Sequence, residues 1–221
     1  MDGRLVAIAL AALCVVTSGD SSGADDSCIP LEAFENATVG AFPPGWQVRK
    51  DEGKQVYRVE ADGGRRFLHA DSNGLGIQAA KEKAWNLDEY PVLAWPWRPR
   101  QFPNGADERT GKNDSVLSVY LLVPYSRIRG PKAVKYIWSA VVPVGTRLES
   151  NGGLTQVRVL RSGNAPSDAW VDERVNVRDD WKSYFSEQKT PAPAGIAVLT
   201  DADDTDSRAI GDYANFRACR Q

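Results

Sequence analysis

The sequence predicts an all-β protein, a jelly-roll β-sandwich of about ten strands with one short helix. Three observations lead there. Short β-type runs recur about every 8–12 residues. Gly, Asn or Asp turn signals punctuate most of the gaps between them. A single segment changes from the strand period of two to the helical period.

The runs begin with "WQVRKD", closed by Glu52-Gly53, and "KQVYRVE", closed by Asp62-Gly63-Gly64. "RRFLHADS" follows and ends at Asn73-Gly74, and "GLGIQAAK" comes next. "YPVLAWPW", "SVLSVYLLVP", "AVKYIWSAVVPV" and "LTQVRVLRSG" are the central strands, and "GIAVLTD" and "GDYANFRA" are the last. The helix is expected over about residues 177–187, where Val177, Trp181, Tyr184 and Phe185 stand at i, i+4, i+7 and i+8. Asp179 and Asp180 fall in its first turn, where carboxylates suit the helix dipole. The polar loop from Arg98 to Asp114 is too long for a plain connection, and loops of that length are usually functional or disordered.

The amino terminus has the order of an export signal. Arg4 precedes the twelve-residue apolar run "LVAIALAALCVV", and "TSGDSSGA" supplies small residues for cleavage. A signal peptide over 1–24 and a single sandwich domain over 28–219 are therefore expected, in the periplasm or outside the cell. The run is too short to span a bilayer, and no later run is longer. Leu13 before Cys14 fits poorly with the small residue that lipidation needs. Removal of Cys14 leaves Cys28 and Cys219, which an oxidising compartment would bridge; two separately buried thiols are the alternative. The formal net charge is −2 with no dense Lys/Arg stripe, which argues against nucleic-acid binding.

Few motifs carry chemistry. "TDADDTD" places Asp201, Asp203, Asp204 and Asp206 within six residues, hard oxygen donors of the kind Ca²⁺ takes. Asp206 falls where a calcium-binding EF-hand needs glycine, and a strand precedes the loop, so an EF-hand is excluded. Three readings remain: a solvated turn, a structural Ca²⁺ site on Asp201, Asp203 and Asp206, and acid–base catalysis. No other cofactor is expected. "LAWPWR" sets Leu93, Trp95 and Trp97 on one strand face. If that face is exposed, Trp95 and Trp97, with Arg98 beside them, would stack on sugar rings; the competing reading is core. Glu173, paired with an acidic-loop residue such as Asp203, meets the two-carboxyl count of a glycosidase, while a salt bridge is the ordinary role of such a residue. The single histidine, His69, excludes a His-rich zinc site, and no nucleophile elbow, P-loop or dinucleotide fingerprint accompanies it.

Taken in order, "YPVLAWPW", "NDSVLSVYLLV", "VKYIWSAV", "QVRVLRSG", "AWVDERVNVRDDWKSYF" and "GIAVLTDADDT" resemble the bacterial domain-of-unknown-function family 3047, from about Phe34 to Phe216. The resemblance implies an exported protein with a jelly-roll sandwich akin to carbohydrate-binding modules. It assigns no activity, so it transfers no catalytic residues. Asp204 stands where the family commonly has Asn, and Pro96 interrupts the Trp-x-Trp strand. Because proline lacks the ladder donor, that strand is expected at an edge or a bulge. The leading functional expectation is a non-catalytic module for a glycan or cell-envelope component. The alternatives are a carbohydrate-active hydrolase using Glu173 and the acidic loop, and a structural envelope protein without a small ligand.

Overall fold

A computed structural model describes residues 27–163 and 169–221; the export signal expected over 1–24 lies outside the described residues. The described residues form a jelly-roll sandwich of two seven-stranded sheets. The first contains β1 (Cys28–Glu32), β3 (Tyr57–Asp62), β4 (Arg65–Asn73), β6 (Val92–Gln101), β11 (Val171–Asn176), β13 (Arg208–Tyr213) and β14 (Phe216–Cys219). The second contains β2 (Trp46–Val48), β5 (Ala79–Glu82), β7 (Leu117–Ser126), β8 (Gly130–Ser139), β9 (Arg147–Ser150), β10 (Thr155–Ser162) and β12 (Gly195–Leu199). Its order is β2-β5-β12-β7-β8-β10-β9, and only the β8–β10 pair is parallel.

Each run read as a strand contains one. The "GDYANFRA" run divides between β13 and β14, because Asn215 turns into the left-handed region at φ 40°. Both strands then pair with the same side of β6, β13 opposite Trp97–Gln101 and β14 opposite Val92–Ala94. The strand holding Pro96 is therefore internal rather than an edge. The N–H and C=O of one strand residue face the same neighbour. Pro96 accepts from Ala214 N at 3.0 Å, so its missing donor faces the junction where β13 gives way to β14.

Between the sheets the core is aromatic. Trp95 and Trp97 pack edge to face at 5.4 Å, and they meet Tyr136 at 5.9 Å and Trp138 at 5.6 Å on β8. The helix α1 (Val177–Phe185) starts at Asn176, whose side chain accepts from Asp179 N, and stops at Ser186 in the left-handed conformation. Trp181 is buried beneath it, and Asp180 accepts a 2.8 Å hydrogen bond from the Tyr136 hydroxyl, which ties the helix to β8. Cys28 and Cys219 form a disulfide across the β1–β14 pair. Among the described residues, no helix is long and apolar enough to cross a membrane.

Candidate functional site

Alternation along the second sheet sends one set of side chains into the core and the other onto its outer face. Val119, Leu121, Val134, Tyr136, Ile196 and Val198 point inward. Tyr120, Ala133, Ala197 and Leu199 form a separate cluster on the outer face, with Ala80 and Leu122 against it. The registers place Ala80, Ala197, Tyr120 and Lys135 side by side across four strands. Three of the floor positions are alanine, so the sheet surface lies low between its flanking loops.

Those loops enclose a groove of about 870 Å³ above Tyr120, Ala133 and Leu199. Its walls are Arg49-Lys50 after β2, Gly76-Ile77-Gln78 before β5, the β7–β8 hairpin tip Arg127–Gly130, and the turn at Ser150-Asn151. A second recess of about 510 Å³ shares Leu122, Arg127, Gly130 and Pro131 with the first and continues past Gly195 to Gln47. Together they make one open channel across the strands. Arg49, Lys50, Arg127 and Arg129 stand exposed on the rim, and none has an ion pair among the described residues.

Beneath one end of the channel lies a buried polar group. Lys135 on β8 faces Tyr120 across the strand pair, with Nζ 5.5 Å from the ring centroid. Burial opposes the ammonium, yet the neighbouring Tyr120 and Asp201 hold its pKa above the ordinary lysine value. Burial drives the Asp201 carboxyl up to about 8; Lys135 pulls it down, and Asp203 and Asp114 push it further up. The long loop after β6 is ordered and supplies two of the remaining members. Glu108 accepts from Ser115 at 2.9 Å and from Ser139 at 2.5 Å. Asp114 is fully buried and accepts from the Thr205 backbone at 2.9 Å, from its hydroxyl at 2.5 Å, and from Asp204 N at 3.2 Å. One oxygen from each of Asp114, Asp201 and Asp203 lies within 4.8 Å of the others.

The residues singled out from sequence fall elsewhere in part. Trp95 and Trp97 are 0% exposed, so they present no face to a sugar. Their spacing put them on one face as expected, but that face is the interior. Arg98 is also buried, on the outer side of the first sheet. It donates to Asp212 at 2.8 Å and lies 4.5 Å from the Trp170 ring centroid. Asp212 in turn bonds His69 Nδ1 at 2.7 Å, which makes His69 part of a charge network. Glu173 is nearly buried on β11 of the first sheet, where its Oε1 accepts from Trp97 Nε1 at 3.1 Å and Arg161 Nε at 2.6 Å. It is a salt-bridged structural residue on one sheet, whereas Asp203 follows β12 of the other. Asp206 ends the turn that begins at Asp203, in the left-handed region at φ 46°, and its carboxylate lies against Gly74 instead of joining Asp201 and Asp203. Asp114 occupies the third place. Asp114, Glu108, Tyr120 and Lys135 were missed; the length of the loop holding the first two, and a lysine inside the apolar run "AVKYIW", were the available signals.

The family described as Protein of unknown function (DUF3047) matches residues 44–217, and the chain belongs to that family. No curated protein matches it. Among solved structures, a family 30 carbohydrate-binding module of a cellulosomal cellulase of Clostridium thermocellum is similar at TM-score 0.43 and 9% identity, covering 75% of this chain and 83% of that one. The Trichoderma harzianum endoglucanase 3 from family GH12 is similar at TM-score 0.43 and 11% identity, over 82% and 92% of the two chains. The family 11 xylanase from Neocallimastix patriciarum gives TM-score 0.33 and 11% identity, over 80% and 100%.

Proposed function

We propose that this member of the family is an exported binding module that takes an extended acidic glycan strand in the channel on its second sheet. The channel carries the reading. It is open, it crosses several strands, and above the buried Ala133, Ala197 and Tyr120 the exposed Tyr125, Ile128 and Pro131, with the half-buried Ala80 and Leu122, offer an apolar surface to the C–H faces of sugar rings. Its rim adds Arg49, Lys50, Arg127 and Arg129, four cations without carboxylate partners among the described residues. Guanidinium groups of this kind suit the planar carboxylates and sulfates of acidic polysaccharides. The bridge between Cys28 and Cys219 supports export, because such bonds persist in oxidising compartments.

Binding is favoured over hydrolysis because the hydrolytic reading needs two carboxyls flanking one bond. Glu173, its first candidate, lies on the first sheet rather than the channel's, held by Trp97 of β6 and Arg161 of β10. The test is affinity electrophoresis and calorimetry with polygalacturonate as the acidic probe and a soluble β-glucan as the neutral one. Polygalacturonate is expected to bind, and to weaken with added salt, as exposed charge pairs do. Replacing Arg127 and Arg129 together by serine at the exposed hairpin tip is expected to weaken it at least tenfold without altering the melting temperature. Equal binding of the neutral polymer would overturn the acidic class. Absence of binding by either polymer would overturn the glycan reading itself.

A further inference from the structure

We infer that Asp114, Asp201 and Asp203 form a binding site for a hard divalent cation, Ca²⁺ in preference to Mg²⁺, at the base of the loop between β12 and β13. The three donor oxygens lie within 4.8 Å of one another. Two oxygens on one Ca²⁺, each at about 2.3–2.6 Å, are at most about 5 Å apart, whereas Mg²⁺ at about 2.0–2.1 Å draws them within about 4.2 Å. A set bounded at 4.8 Å is within reach of one ion after small adjustment, and Ca²⁺ tolerates an irregular oxygen set where Mg²⁺ demands a near-ideal octahedron.

A separate observation points to a missing partner. Asp201 is 6% exposed, and its Oδ1 has no hydrogen-bond partner among the described residues. That atom and Asp203 Oδ1 converge over the bare Cα of Gly76, where an added Cβ would lie 2.5 and 2.7 Å from them. A buried acceptor left unpaired is costly, and when both carboxyls are ionised Asp203 has no hydrogen to give it. A cation satisfies both oxygens at once. Lys135 contributes positive charge nearby but does not bond Asp201 Oδ1.

The remaining members show how such a site is built. Asp114 is held by Thr205 and Asp204, so its position is set before any ion arrives. Asp203 is exposed and provides the entry, with room for water to complete the six to eight ligands that Ca²⁺ takes. Gly76 keeps the approach open, since any side chain there would displace the two carboxylates.

The experiment uses the whole chain stripped with EDTA, titrated with CaCl₂ or MgCl₂ alone by calorimetry and followed by thermal melting. One equivalent of Ca²⁺ is expected to bind and raise the melting temperature by several degrees, with at least tenfold weaker binding of Mg²⁺. Asp203→Asn is expected to cost at least tenfold in Ca²⁺ affinity, and because that side chain is exposed the variant keeps its fold. Asp206→Asn is expected to bind like the wild type. The proposal is overturned if the wild type neither binds Ca²⁺ nor melts higher in its presence. It is equally overturned if Asp206→Asn loses as much affinity as Asp203→Asn. The outcome is independent of whether polygalacturonate binds, so the cation site and the glycan channel stand or fall separately.

Discussion

Asp212 gathers His69, Arg98 and Arg100 on the outer side of the first sheet, at 2.7, 2.8 and 3.0 Å. Burial alone would raise its pKa; hydrogen bonds from His69 and Arg100, with the charges of His69 and Arg98, hold it below the ordinary carboxylate value. A carboxylate depressed by folding stabilises the native state above the unfolded value of 3.8, and that contribution drains away as pH falls through the folded pKa. Asp212→Asn keeps the shape but leaves the buried Arg98 guanidinium with only the exposed Asp62, 4.0 Å away, as counter-ion. The expected loss is about 3–5 kcal/mol near neutral pH, the cost of breaking a buried pair. Urea denaturation at pH 7 and pH 3 checks this: the difference between wild type and variant should shrink at the lower pH. At this scale the sequence was legible only in part. The acidic cluster was visible as four close aspartates, but its third donor, Asp114, comes from a loop about ninety residues away in the chain. The tryptophan spacing identified a shared face without revealing on which side of β6 the second sheet would pack.

At the level of elements, strands were legible wherever an apolar run stood between turn signals, as in β7, β8 and β12, which are buried on both faces over most of their length. β1, β9 and β11 were not read as strands, since "CIPLE", "RLES" and "VDERVN" carry few apolar residues and owe their conformation to neighbours. The helix was legible because its aromatic residues recur on one face, and only its end differs, at Phe185 rather than about residue 187. Contacts between strands also explain a residue whose type carries no periodic signal. Gly195 opens β12 where β5 passes so close that an added Cβ would run into the Lys81 carbonyl oxygen. Neither backbone can yield without losing its ladder. Gly195→Ala is therefore expected to destabilise by about 3 kcal/mol, the upper part of the usual overpacking range. Thermal melting measures the loss. Hydrogen exchange should localise it to Ala80, Lys81 and Glu82, and uniform protection there would contradict the packing argument.

For the whole molecule, the decisive link joins the two ends. Among the described residues β1 is an edge strand paired only with β14, and the ladder places Cys28 directly opposite Cys219. The bridge closes a loop of 191 residues in sequence separation, so it restricts the unfolded chain far more than it alters the folded one. The chain-entropy account assigns about 5 kcal/mol to a loop of that length, although measured bridges often give less. Cys219 is wholly buried against Val92 and Ala94, so mild reductant should reach the bond slowly in the folded protein. Substitution separates access from energetics. A Cys28→Ser, Cys219→Ser variant is expected to melt about 10 °C or more below the wild type, given about 2–4 °C per kcal/mol for a chain of this size. Its exchange protection should be lost first at Ile29, because the backbone pairs of β1 then hold that edge alone. A melting temperature within about 2 °C of the wild type would mean that the β1–β14 ladder already fixes the ends, and that the bond serves another purpose than stability.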